Sequence, residues 1–100
     1  MERYLIVYRG GRDATLDASA RDAQRWAAWW DSLGAAVVDR GGLGQGAVEV
    51  PNRLLGPKES TSSLSGYSVI QAGDFNEAVR LAEACPIFDE DGSVEIARLG

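Results

Sequence analysis

The segment Arg3-Tyr4-Leu5-Ile6-Val7-Tyr8-Arg9 constrains this chain more than any other. It is built from residues that favour strands and it closes on Gly10-Gly11. Aromatic and β-branched side chains pack well on a pleated surface, so the segment reads as a β-strand. Its apolar content is nearly continuous. A strand without polar alternation has both faces covered, so it belongs near the middle of a sheet with a layer on each side. A chain of 100 residues is expected to form one domain, 1–100, around a single modest core. It has few elements from which to build two layers of cover.

The rest of the chain alternates between helical and extended patterns. Ser19-Ala20-Arg21-Asp22 resembles a capping box with Asp in place of Glu, which predicts a helix starting at Ser19. Ala23, Trp26, Ala27, Trp30 and Leu33 follow at helical spacing, with Trp29 at the edge of the apolar stripe and Gly34 as the C-terminal cap. Ala35 to Arg40 reads as a second strand, Gly41 to Gly46 as a glycine-rich loop, and Ala47 to Val50 as a short strand. Pro51 to Ser65 carries two prolines and a Ser/Thr cluster, and reads as a mobile loop.

Gly66 to Gly73 is a strand bounded by glycines. Asp74-Phe75-Asn76-Glu77 then caps a second helix, with Phe75, Ala78, Val79, Ala82 and Cys85 as its buried stripe and Pro86 as its stop. Asp91-Gly92 is a turn into a last strand, Ser93 to Leu99, with Val94, Ile96 and Arg98 on one face. The order β-α-β-β(β)-α-β is the ferredoxin-like α+β pattern, an antiparallel sheet with two helices on one face. The other face lacks cover. A second copy of the chain is the natural cover, which predicts a homodimer.

Composition narrows the chemistry. Net charge is −5, with 6 basic and 7 acidic residues in the first half and 4 and 8 in the second. No basic cluster exists to release counterions from a nucleic acid or to attract an anionic membrane, so neither is expected as a partner. No apolar run approaches membrane-spanning length, and the N-terminus does not resemble a secretory signal. One cysteine permits no internal disulfide, which suits a reducing cytoplasm. The chain has no histidine. Ser-His and Cys-His nucleophiles are therefore excluded within it, and a zinc site would need an unusual carboxylate shell. No metal or cofactor is expected.

Several segments resemble the YCII-related proteins of the DGPF type. They are Trp26-Ala27-Ala28-Trp29, Lys58-Glu59, Gly66-Tyr67-Ser68-Val69-Ile70, Asp74-Phe75-Asn76-Glu77-Ala78, Leu81-Ala82 through Cys85-Pro86, and Gly92-Ser93-Val94-Glu95-Ile96. They occur in the family's order over most of the chain. The resemblance implies a dimeric α/β barrel, two ferredoxin-like protomers packed sheet to sheet, in a bacterial cytoplasmic protein. More distant relatives use a histidine–aspartate pair for small-molecule chemistry, and this chain has no counterpart of that histidine. Leu55-Gly56-Pro57-Lys58 stands where the Asp-Gly-Pro-Phe signature belongs, and Ala97-Arg98 replaces the family's Arg-Pro. The family's enzyme mechanism therefore does not carry over.

Four features invite a chemical role. Cys85 lies on the apolar stripe near a helix C-terminus, where the dipole disfavours a thiolate, so it reads as a core residue. Asp89-Glu90-Asp91 lacks the spaced ligands of a calcium loop and reads as a solvated turn. Gly41 to Gly46 leads into a strand rather than a helix, so it reads as a hairpin or bulge rather than a phosphate cradle. The fourth is a set of polar and aromatic groups, Arg9, Trp29, Asp39, Arg40, Tyr67, Gln71 and Glu95. These are the candidate ligand-binding residues, expected near a cleft between the sheet and its dimer partner. The leading expectation is a small-molecule-binding dimer. The alternatives are a cofactor-independent isomerase, lyase or oxygenase using Asp39 or Glu95 as base, and a structural or protein-interaction dimer whose cleft is filled.

Overall fold

The computed structural model describes residues 1–11, 22–44 and 46–100. Its elements are β1 (Glu2–Gly10), α1 (Ala23–Leu33), β2 (Val37–Leu43), β3 (Val48–Glu49), β4 (Lys58–Glu59), β5 (Leu64–Ala72), α2 (Phe75–Ala82) and β6 (Gly92–Leu99). Short 3₁₀ turns occupy Gly34–Ala36 and Pro86–Glu90. The fold is α+β. A four-stranded sheet has the order β2-β5-β1-β6, and every neighbouring pair is antiparallel. This arrangement is compatible with a ferredoxin-like fold. No helix among the described residues is long and apolar enough to cross a membrane.

β1 takes the interior position its composition demands, between β5 and β6. Its even-numbered side chains, Tyr4, Ile6 and Tyr8, are fully buried. Tyr8 meets the Trp26 and Trp29 rings of α1 edge-on, at 4.9 and 6.4 Å between centroids. Tyr4 meets Phe75 of α2 edge-on at 5.0 Å. Tyr4 and Tyr8 share one face of the strand, so both helices cover that face. Ala78 and Ala82 are buried, and their small side chains let α2 sit close to the sheet. Each large side chain buried here contributes about 1.5–3 kcal/mol, which exceeds what either helix cap supplies.

The helix boundaries depart from expectation in ways that local chemistry explains. Ser19 lies outside the described residues. Within them, Asp22 is the N-cap of α1: its backbone is extended and its Oδ1 accepts from the Gln24 and Arg25 N–H groups at 3.1 Å each. A carboxylate satisfying two orphan N–H groups is worth more as a cap than as a third helical residue. Asp74 caps α2 as expected, accepting from the Glu77 N–H at 2.8 Å. Phe75 and Val79, expected in the buried stripe of α2, are exposed at its flank, at 39% and 44%. The helix ends at Ala82, before Cys85, and Pro86 opens a 3₁₀ turn at the position where its missing N–H costs least.

β2 and the following loop also differ. The strand runs through Gly41 and Gly42 to Leu43, with two register shifts against β5. Pro51 to Ser65 is not one long loop, because Lys58–Glu59 pairs with Val48–Glu49 as a two-stranded ribbon. Asn52 builds the turn at its tip, accepting from the Leu55 N–H through Oδ1 and from the Gly56 N–H through its carbonyl.

An apolar pocket on the open sheet face

The odd-numbered residues of β1 point away from the helices. Leu5 lies opposite Val69, and Val7 opposite Tyr67. All but Tyr67 are half-buried; Tyr67 is 43% exposed. No described helix covers this face.

Two glycines let β2 cross close to β5 here. Gly41 has φ +68°, and a Cβ on it would lie 1.9 Å from the Tyr67 carbonyl oxygen. Gly66 has φ +157°, and its Cβ would lie 2.3 Å from the Gly42 carbonyl oxygen. Neither position accepts a side chain. An open-mouthed pocket of about 520 Å³ lies beside this close crossing. Leu5 and Val7 form its floor, Leu64 and Tyr67 one flank, and Gly42 to Gly44 with Gly46 and Ala47 the other. Among the described residues, no charged side chain lines it. This size falls within the range of small-molecule sites, which are mostly apolar with few polar groups.

Of the seven candidate ligand-binding residues, Tyr67 lines the pocket. Its hydroxyl donates to Asp39 Oδ2 at 3.4 Å, while Asp39 Oδ1 accepts from the Gly41 N–H at 2.8 Å. Asp39 thus holds the bulge and the Tyr67 ring from outside the pocket. Arg9 and Glu95 form an exposed cross-strand pair at 2.9 Å, and the Arg9 guanidinium also reaches the Ser62 carbonyl at 3.5 Å. Gln71 donates to the Ala35 carbonyl at 2.9 Å. Arg40 turns toward α1, pairing with Asp31 and lying 5.6 Å from the Trp30 ring centroid. Trp29 is 4% exposed on the helix side, its Nε1–H donating to the Leu81 carbonyl at 3.1 Å. The sheet therefore separates Trp29 from the pocket.

The acidic turn splits into three fates. Asp89 is exposed and pairs with Arg25, and Asp91 takes the left-handed conformation with φ 62°. Glu90 is not solvated as expected. It is 5% exposed, and the Trp26 indole N–H donates to its Oε2 at 2.8 Å. Cys85 is buried in the core. Among the described residues, no cluster of three or more Cys, Asp or Glu has the geometry to hold a metal ion.

Tyr67 apart, the pocket residues escaped the sequence reading because most are plain apolar residues and glycines, with no chemical signature. The available signal was Gly42 and Gly44 beside a strand, which suggested only a bulge. No family model, curated protein or solved structure matches the chain.

Proposed function

We propose that this chain is a small-molecule-binding homodimer of the YCII-related, DGPF type. Two ferredoxin-like protomers pack open face to open face as a dimeric α/β barrel, with the ligand held between the sheets. The observation that carries this reading is the apolar pocket of about 520 Å³, lined by no charged side chain among the described residues, on the sheet face that no described helix covers. Half-buried Leu5, Val7 and Val69 on that face supply apolar area suited to a partner, and the Arg9–Glu95 pair supplies a polar rim. A catalytic reading through Asp39 or Glu95 has less support, because neither carboxylate lines the pocket and both are engaged with neighbours. Differential scanning fluorimetry with a metabolite panel at several concentrations tests the binding role. Neutral, apolar-bodied compounds are expected to raise Tm progressively with concentration. The absence of a concentration-dependent shift with every class would overturn it.

A further inference from the structure

The shape and charge of the pocket specify more than apolarity. We infer that it takes flat, uncharged aromatic molecules of one or two fused rings, seated against the bare backbone of Gly42 in β2 and of Gly44 just beyond its end. This inference rests on the pocket being a binding site, as proposed above.

Gly42 and Gly44 differ from Gly41 and Gly66. Neither has a left-handed backbone, and a Cβ on either would meet nothing within 4 Å. The fold requires no glycine at these two positions, and glycine in a strand weakens it. What the missing side chains leave is open space inside the pocket. Gly42 is the cross-strand partner of Tyr67, so any side chain there would project beside the Tyr67 ring. Strand alternation places Gly44 on the same side, roughly 7 Å further along. The Gly44 N–H is held by the Ser65 carbonyl at 2.8 Å, which extends the pairing past the end of β2.

A strip of peptide planes without side chains makes continuous contact with a planar molecule. A puckered skeleton of equal size touches it at fewer atoms, and dispersion falls steeply with any gap. The half-exposed Tyr67 ring stands at the side of this strip, its hydroxyl tethered by Asp39, ready to meet an aromatic ligand edge-on. Charge complementarity points the same way. Among the described residues no charged group lines the pocket, and Asp39 and Arg9 are engaged by Gly41 and Tyr67 and by Glu95. An ionised ligand would be desolvated without a partner.

Isothermal titration calorimetry with three matched probes tests this. β-Naphthol is flat and neutral, decalol is its fully hydrogenated and puckered counterpart, and β-naphthoate is flat and charged. β-Naphthol is expected to bind at least about tenfold more tightly than either of the others, a gap of roughly 1.4 kcal/mol. Gly42→Val is expected to cut β-naphthol affinity by about tenfold or more while leaving Tm unchanged or raised. Gly44→Ala is a second, independent plug and is expected to weaken binding in the same direction. Decalol binding as tightly as β-naphthol would overturn the inference while leaving the pocket as a site. Full β-naphthol affinity in both glycine variants would overturn it as well. Absence of binding by all three probes would overturn the inference, and the binding role falls with it only if the metabolite panel also gives no shift in Tm.

Discussion

Tyr8 and Ser68 meet at 2.6 Å inside the core, both fully buried. The Ser68 hydroxyl donates its one proton to the Arg40 carbonyl at 2.6 Å and accepts from the Trp30 indole N–H at 3.2 Å. Tyr8 must therefore be the donor in its bond to Ser68. Burial pushes the Tyr8 phenol well above its ordinary value. The folded state thus binds the Tyr8 proton more tightly than the unfolded chain, whose phenol ionises near pH ~10. The corresponding stability is fully present below that pH and is lost as pH rises toward the folded value. Urea midpoints are expected to fall between about pH 9 and 11, around the ordinary tyrosine value of about 10. Tyr8→Phe is expected to flatten that fall and to cost about 0.5–1.5 kcal/mol at neutral pH. An unchanged alkaline slope in Tyr8→Phe would contradict this account. Glu90 makes the complementary point: its type and neighbours in sequence say surface, and the Trp26 indole 64 positions away holds it inside.

Within β2, adjacent glycines have opposite duties. Gly41 meets the Tyr67 carbonyl with no room for a Cβ and has a left-handed backbone, whereas Gly42 has open space and none of that strain. Gly41→Ala is expected to destabilise by at least about 2 kcal/mol, from backbone strain plus the clash. Gly42→Ala is expected to be neutral or to stabilise by up to about 1 kcal/mol. Urea denaturation of the two variants side by side reads the difference, and equal destabilisation would refute the contrast. Both residues look alike in the sequence as part of Gly41 to Gly46. The cap at Asp74 was legible because it depends on residues three positions apart. The ribbon of β3 and β4 was not, because two paired residues on each side leave almost no periodic pattern to read.

At the scale of the molecule, the described helices cover one face of the four-stranded sheet, and none of them covers the other. That open face motivates the proposed dimer. Static light scattering at micromolar concentration is expected to give twice the chain mass of 10.7 kDa. Val69→Glu, which places a charge in the centre of the open face outside the pocket lining, is expected to shift the mass to that of one chain. A parent protein that remains a single chain at every concentration would overturn the dimer.

The sequence by itself determined the principal strands and helices, the interior place of β1 and the α+β class. These follow from backbone preference and from apolar periodicity within a few residues. Tertiary structure decided that Trp29 and Glu90 are buried, that Gly41 is indispensable where Gly42 is open, and where the pocket lies. Each of those depends on atoms brought together from distant parts of the chain, at separations such as the 28 residues between Asp39 and Tyr67. Local preferences carry no record of such contacts, because the energies that set them arise only once the sheet has closed.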